Sequence, residues 1–198
     1  MSEQAATVRL RGQARPAARV ASPSADVEVV ETLADFHALR DDWNTLARHA
    51  GTTQQVFQDF GFLRQWAEHY LDDGTRLAVL VARRGGRIAA IAPFTRQRWL
   101  GFSALRFMGA PVARFNDVLA DTDGDQDLAE ALRSAIKRLR ADFIDAPLVR
   151  DDSAFVTLGL DRGAVVTARM QAPFSLVAER AGDDGPGEAY PAKKRSDY

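Results

Sequence analysis

The dipeptide Asn116-Asp117 combines residue types and a position that suit substrate binding. It follows Arg114-Phe115 and directly precedes Val118-Leu119, which we expect to form a strand. A carboxylate at the start of a strand, near an aromatic ring, can orient a substrate amine or hydroxyl or accept its proton. Asn and Asp also favour turns, and this structural alternative stays open. Asn116 and Asp117 are therefore predicted substrate-binding residues, and no residue is assigned a catalytic role.

Two tryptophans are further candidates for ligand contact. Trp66 is the third predicted substrate-binding residue, although Phe62, Leu63, Trp66 and Tyr70 have the spacing of one helix face, which makes a core position the alternative. Trp99 lies beside two arginines, and this position is compatible with contact at the rim of a site.

Metal binding is not expected from the spacing of the ligating residue types. His37, His49 and His69 lie on two predicted helices, and no two of them share a turn. The acidic loop at 121–127 has glycine at its fourth position, and its twelfth is Leu132. A calcium-binding EF-hand needs glycine at the sixth position and glutamate at the twelfth, so we expect this loop to cap the next helix.

Nucleophile and phosphate motifs are also missing. Ser103 lies in Gly-Phe-Ser-Ala-Leu, which lacks the second glycine of the serine-hydrolase motif, and no histidine follows it in the chain. There is no P-loop and no dinucleotide-binding glycine motif. Arg83-Arg84-Gly85-Gly86-Arg87 fits either phosphate binding or a hairpin turn with solvated arginines, and the turn is favoured. The basic cluster at 193–195 fits a phosphate or membrane contact, but a solvated helix face is favoured.

Composition restricts the class of protein. The 198 residues are 46% hydrophobic and 27% charged, which is typical of a globular domain with a full core. The net charge of −1 gives no basic field for nucleic acid, and no apolar run is long enough for a transmembrane helix. The chain has no cysteine, which excludes disulfides and thiolate chemistry and fits the reducing cytoplasm where we expect the protein.

Apolar spacing predicts the element order β-α-α-β-β-β-β-α-β-α-β-β. The first helix has one apolar face made by Phe36, Leu39, Trp43 and Leu46, and Asp59 is expected to cap the second helix. Strands at 77–82 and 87–94 should form a hairpin, with Pro93 marking an edge, a bulge or the exit of the strand. Later predictions are a helix from residue 128, a strand at 143, a short helix capped by Asp151 or Asp152, and a strand pair at 164–167 and 173–177. The fold class is α+β, with a mixed, mostly antiparallel sheet and helices on its faces.

Several motifs together resemble one acyltransferase family. They are Trp43-x-x-Leu46, Phe57-x-x-Phe60-x-Phe62-Leu63-x-x-Trp66, the hairpin that ends in Ala92-Pro93-Phe94, Leu105-x-Phe107-Met108-Gly109, Phe115-x-Asp117-x-Leu119 and Tyr190-x-x-Lys193-Lys194-Arg195-Ser196-Asp197. This pattern resembles the CelD/BcsL-like family of GNAT-type acetyltransferases, which is linked to cellulose and exopolysaccharide production and related to the FemAB-like tandem GNAT proteins. The resemblance runs from about residue 27 to the last residue.

The resemblance implies a GNAT-like fold and an acyl-CoA-dependent reaction without a metal. The arginine-rich, acid-poor start predicts a disordered basic tail at 1–25, and the glycine-rich stretch after residue 180 predicts a linker with the start of a helix at 181–198. The resemblance makes 26–180 a GNAT-like N-terminal domain. In the family that helix leads to a second, acyl-CoA-binding half, so the chain is expected to be the N-terminal half only. The sequence also lacks the R/Q-x-x-G-x-G/A phosphate loop of GNAT domains. The acceptor would be a small molecule or a glycan, and Asp117 is the position that the resemblance assigns to the substrate side.

Two alternatives remain open. The chain could be a non-catalytic glycan- or protein-binding module, with Phe57, Phe60, Trp66 and Trp99 lining its surface. It could instead form a homodimer in which a second copy replaces the other half.

Overall fold

The structure is a computed structural model that describes residues 25–50, 55–121, 125–167 and 169, with Trp99 described by its main chain alone. The described residues divide into one compact unit that extends to Arg162 and a second that begins at Gly163. In the second unit, residues 164–167 are exposed and have no regular secondary structure. The predicted tail, the strand at 173–177, the linker and the basic helix start lie outside the described residues.

The first unit contains the helices and strands. The described strands are β1 (Asp26–Val30), β2 (Thr75–Arg84), β3 (Arg87–Trp99), β4 (Phe102–Phe107), β5 (Leu119–Ala120) and β6 (Phe143–Asp145). The described helices are α1 (Leu33–Ala38), α2 (Arg40–Ala50), α3 (Phe60–Tyr70), α4 (Gln126–Arg138) and α5 (Ala154–Thr157), with a 3-10 helix at Val56–Gln58.

The six strands form one sheet in the order β1-β2-β3-β4-β6, and β5 pairs with β3. The β4–β6 pair is parallel and the other pairs are antiparallel. Helices α1, α2 and α3 pack on one face of the sheet, whereas α4 and α5 pack on the other. The predicted α+β class with a mixed, mostly antiparallel sheet and helices on its faces is confirmed.

The hairpin formed by β2 and β3 is the centre of the sheet. Its turn is Gly85-Gly86, with φ angles of 56° and 81°. A two-residue hairpin turn of this type needs positive φ at both positions, which glycine adopts without steric cost. The predicted hairpin is confirmed, and both strands are longer than predicted.

Pro93 lies inside its strand, so of the three predicted positions (an edge, a bulge or the exit of the strand) the exit is wrong. It pairs with Val79 inside β3, which continues to Trp99. On its other side β3 changes partner: β5 pairs with Ala90 and Ile91, whereas β4 pairing begins at Phe94. The Pro93 carbonyl accepts a hydrogen bond from the Met108 N–H at 2.8 Å. Since the N–H and C=O of one antiparallel strand residue point the same way, the missing proline donor lies on the side where the pairing of β3 with β4 stops at Phe94.

The predicted first helix is interrupted by a tight turn. The Thr32 hydroxyl caps α1 by accepting the Asp35 N–H at 3.1 Å, and the Leu39 N–H bonds the Phe36 carbonyl at 3.1 Å before α2 begins. The interruption leaves the predicted apolar face buried, because Trp43 then bonds back to Leu39 through the main chain at 2.8 Å.

Three local predictions are wrong. Tyr70 is 49% exposed, and Phe60 takes an inner position on α3 instead. The cap of α5 is Ser153, whose hydroxyl accepts the Val156 N–H at 3.3 Å, because Asp152 is held by the neighbouring Arg150. Residues 164–167 do not form a strand, and their predicted partner at 173–177 lies outside the described residues.

Candidate functional site

A polar cavity of about 140 Å³ lies where three connecting segments meet. The segments are the 3-10 helix, the loop before β5 and the turn before α5. The polar side chains that line the cavity include those of Gln55, Gln58, Asn116, Asp117, Arg150 and Ser153. The predicted residues Asn116 and Asp117 therefore share one site.

Asp117 joins the three segments through its carboxylate. Its Oδ1 accepts the main-chain N–H of Val118 at 2.7 Å and that of Phe155 at 3.0 Å. Its Oδ2 accepts from the side-chain amide of Gln55 at 2.8 Å. The side chain is buried, with 8% of the residue exposed. Asp117 thus stabilises the wall of the cavity as well as contributing a charge to it.

Asn116 and Gln58 each carry a buried amide whose orientation is set by the main chain. Asn116 Nδ2 donates to the Pro147 carbonyl at 2.8 Å, and Gln58 Nε2 donates to the Phe115 carbonyl at 3.0 Å. Reversing either amide would put two oxygens in contact, so the opposite amide oxygens are fixed in place. These oxygens, Asn116 Oδ1 and Gln58 Oε1, are buried and have no hydrogen-bond partner among the described residues. Buried acceptors of this kind are usually satisfied by a donor, so the site favours a ligand or water that donates hydrogen bonds.

Arg150 and Asp152 form a charge pair beside the cavity. Arg150 Nε and Nη2 donate to the two carboxylate oxygens of Asp152 at 2.7 and 2.6 Å. This hydrogen bonding raises the pKa of Arg150 and lowers the pKa of Asp152. The guanidinium also lies 5.8 Å from the centre of the Phe115 ring, a cation–π distance. Asp152 is therefore paired with Arg150. Asp117, the carboxylate of the cavity wall, has no arginine salt bridge among the described residues.

Trp66 lies apart from this cavity. It is on α3, is 7% exposed and donates its indole N–H to the Ala110 carbonyl at 3.1 Å. Its ring stacks on Tyr70 with the ring centres 5.8 Å apart. The structure therefore brings Asn116 and Asp117 together on one cavity without Trp66.

The aromatic surface of the binding-module hypothesis does not form. Phe60 and Trp66 are buried in the layer of α1, α2 and α3, and Phe57 is half-buried against Phe62. Buried rings such as Phe60 and Trp66 cannot act as an open platform for a sugar.

The arginines of the Gly85-Gly86 turn are engaged by carboxylates. Arg83 bonds Glu28 at 3.1 Å and Asp42 at 3.2 Å, while Arg84 Nη1 bonds Asp125 Oδ2 at 2.6 Å. The interpretation of this segment as a turn is confirmed, and its two leading arginines are ion-paired rather than free in solvent.

Asp125 caps the N-terminus of α4, as predicted for the acidic loop. Its Oδ1 accepts the N–H groups of Asp127 at 3.1 Å and Leu128 at 3.0 Å. The hydrogen bond from Arg84, together with these main-chain bonds, lowers the pKa of Asp125 to about 2. The amides that could bind an external anion at this helix end are therefore occupied.

Sequence reasoning missed Gln58 and Arg150. Gln58 lies between Phe57 and Phe60, and this position among aromatic residues is the signal that the sequence offers. Arg150 has no such signal, because its role depends on packing against Phe115 from a distant loop.

No group of three or more His, Cys, Asp or Glu side chains is arranged to hold a metal ion in the part of the chain that the structure describes. Among the described helices, none has the length and apolar character needed to span a bilayer.

Comparisons with known proteins give distant structural likeness only. No protein-family model matches the chain, and no curated protein matches it. A ribosomal-protein-alanine N-acetyltransferase from Brucella melitensis biovar Abortus 2308 aligns over 76% of this chain and 98% of its own, at 14% identity and a TM-score of 0.35. A likeness of this size assigns neither a family nor an activity.

Proposed function

We propose that the described domain is the acceptor-binding half of a cytoplasmic acyltransferase with a GNAT-like fold, acting in the synthesis of a polysaccharide. The observation that carries this proposal is the polar cavity beside Asn116 and Asp117. Asp117 is the residue that the resemblance to the CelD/BcsL-like family assigns to the substrate side, and it lines that cavity. Buried oxygens of Asn116 and Gln58 complement a ligand that presents N–H or O–H groups.

The reaction transfers an acyl group from acyl-CoA to an amine or hydroxyl of a small molecule or glycan. The acceptor atom attacks the thioester carbonyl, a C–N or C–O bond forms, the C–S bond breaks, and the acceptor proton passes to a general base. Asp117 is already held by three hydrogen bonds, from Val118, Phe155 and Gln55. We therefore assign it a role in orienting the acceptor and leave the base unassigned.

The acyl-CoA would be bound by a second GNAT-like half. In GNAT domains the R/Q-x-x-G-x-G/A loop presents main-chain N–H groups at a helix N-terminus to the pyrophosphate. In this chain the carboxylate of Asp125 occupies the donors at the start of α4, from Asp127 and Leu128. These two donors are not available to a pyrophosphate, and we assign acyl-CoA to the second half.

A reconstitution experiment tests this function. The chain is mixed with the GNAT-like half encoded beside it, acetyl-CoA and a set of amine and hydroxyl acceptors, and release of the CoA thiol is followed. Thiol release should require both halves, and Asn116→Ala should lower kcat/KM at least about tenfold, equivalent to about 1.4 kcal/mol of transition-state stabilisation. Asp73→Asn, an exposed carboxylate away from the cavity, is the matched control. The proposal fails if no neighbouring reading frame encodes such a half, or if the chain alone binds acetyl-CoA in calorimetry.

A homodimer is the rival arrangement for completing the site. In that case a second copy would take the place of the second half, and thiol release would rise with chain concentration without any other protein. Light scattering across the same concentrations distinguishes the two arrangements, because a monomer with no activity excludes the homodimer.

A further inference from the structure

The turn between β3 and β4 exposes apolar side chains at the tip of a hairpin. Trp99 pairs with Phe102 in the strand register, so Leu100 and Gly101 form a two-residue turn. Leu100 is 81% exposed and Phe102 is 55% exposed. Neither residue belongs to the two buried clusters that hold the helices to the sheet.

Leu100 is unfavourable for the turn itself. Its φ is 49° and that of Gly101 is 88°, so both residues occupy the left-handed region. Asn or Gly is preferred at the first position of such a turn, because a branched side chain crowds the main chain there. A leucine at this position therefore strains the backbone and exposes apolar surface at the same time. Strain combined with exposure is characteristic of a residue retained for contact with something else.

The two strands that carry the tip are basic. Residues 95–107 contain Arg96, Arg98 and Arg106 but no acidic residue, although the whole chain has a net charge of −1. Arg106 bonds Asp145 at 3.0 Å and Arg96 donates to the Ser103 hydroxyl at 2.9 Å. Asp142 accepts the Ser103 N–H at 2.7 Å and adds a carboxylate beside the tip, where Arg98 is exposed. An apolar tip next to an exposed arginine matches the boundary between lipid chains and anionic headgroups.

The size of the patch favours a lipid surface over a protein partner. A stable protein interface buries about 800 Å² on each side, much more than two exposed side chains provide. A bilayer accepts a small apolar tip without needing a complementary shape, and the added attraction of cations for anionic lipid gives reversible binding.

We propose that the β3–β4 tip docks on an anionic lipid surface. Leu100 and Phe102 enter the boundary below the headgroups, and Arg98 contacts lipid phosphates. The inference concerns the location of the protein on a surface and is independent of acyl transfer.

Co-sedimentation with vesicles tests the proposal on the full chain. The vesicles are phosphatidylcholine alone or phosphatidylcholine mixed with phosphatidylglycerol, and the expected result is strong binding to the mixed vesicles alone. Leu100→Asn should weaken binding at least about tenfold, the effect of removing one inserted leucine. The same variant should unfold at an equal or higher urea concentration, because Asn suits the turn. Loss of binding therefore cannot be attributed to misfolding.

Two further variants define the outcome. Arg98→Gln should weaken binding to the mixed vesicles, because it removes the cation that contacts lipid phosphate. Leu33→Gln removes a partly exposed leucine on α1 and should change nothing. The proposal is overturned if the chain does not sediment with mixed vesicles, or if Leu100→Asn binds them like the unmodified protein. It is also overturned if light scattering without lipid shows a dimer that Leu100→Asn dissociates, which would assign the tip to a second copy.

Discussion

Asp117 shows how one side chain can serve both the fold and a binding site. Its two oxygens receive hydrogen bonds from the loop before β5, from α5 and from the end of the 3-10 helix region, through Val118, Phe155 and Gln55. Each of these donors is a group that would lose a partner if the carboxylate were removed. Asp117 is therefore expected to matter for stability even in the absence of any ligand.

Replacing Asp117 with alanine should destabilise the protein by about 1–3 kcal/mol, the usual cost of leaving buried donors without acceptors. Asp117→Asn should cost less, because its remaining oxygen still accepts from the main chain. The measurement is urea unfolding followed by circular dichroism, with the slope of the transition compared among the three proteins. An unchanged midpoint for Asp117→Ala would contradict the bonding described for this residue.

Residue types alone identified part of this site. Asn116 and Asp117 could be selected because a polar pair at the start of an apolar strand is visible in the sequence. Gln58 and Arg150 could not, since they reach the same cavity from segments 58 and 34 residues away from Asn116 and Arg150 makes no motif with its neighbours. Which distant loops converge depends on the packing of both helix layers.

At the scale of elements, one ion pair connects the central hairpin to α4. Arg84, next to the Gly85-Gly86 turn, bonds the carboxylate of Asp125 that also caps the helix. Both side chains are mostly buried, with 21% and 19% exposed. The charge on Asp125 thus stabilises a tertiary contact and a helix end together.

The Asp125 carboxyl makes stability depend on acidity. Its pKa is about 2 in the folded protein, against 3.8 ordinarily. Because the folded pKa is the lower one, the contribution is complete above about pH 5 and is lost as the pH falls from about 4 to about 2. A shift of this size corresponds to about 2 kcal/mol.

Asp125→Asn is the matched variant for this effect, because asparagine keeps the cap and removes the charge. The free energy of unfolding in urea should be about 2 kcal/mol higher for the unmodified protein at neutral pH, and the difference should vanish near pH 2. Other carboxyl groups titrate in both proteins and cancel in the difference. If the difference in the free energy of unfolding between the two proteins stayed constant down to pH 2, Asp125 would not be stabilised by Arg84.

The elements that the sequence identified best are those whose signals are local. The glycine turn, the caps at Thr32, Asp59 and Asp125, and the apolar stripes of the long helices all follow from nearby residues. The position of Pro93 within β3 could not be inferred. It depends on where β3 changes its pairing partner from β5 to β4. The cap of α5 could not be inferred either. Asp152 accepts hydrogen bonds from Arg150, and Ser153 caps the helix instead.

The described unit that ends at Arg162 has two helix layers that share one sheet. Leu80 and Val81 are adjacent on β2 and completely buried, yet they belong to different clusters because alternate residues of a strand face opposite sides. Since β2 contributes to both layers, we expect neither layer to unfold separately.

Leu80→Ala tests this cooperativity. The substitution removes apolar volume under α4 and α5 and should destabilise the protein by about 2–5 kcal/mol. In a Trp99→Phe background, Trp43 and Trp66 report on the opposite layer, and circular dichroism reports on all elements. The two signals should change at the same urea concentration. Separate transitions would mean that the layers fold independently.

The outer edge of β1 affects how the protein behaves at high concentration. An unprotected edge strand can recruit the edge of another molecule and start the growth of insoluble aggregates. Here Asp26 and Glu28 are exposed along this short strand, and the Val27 carbonyl accepts a hydrogen bond from Arg138 Nη2 at 3.4 Å. A second molecule that added to this edge would bring like charges together and displace the Arg138 side chain. The chain therefore carries its own protection against edge-to-edge polymerisation, and concentrated solutions should stay clear as long as Asp26, Glu28 and Arg138 are intact.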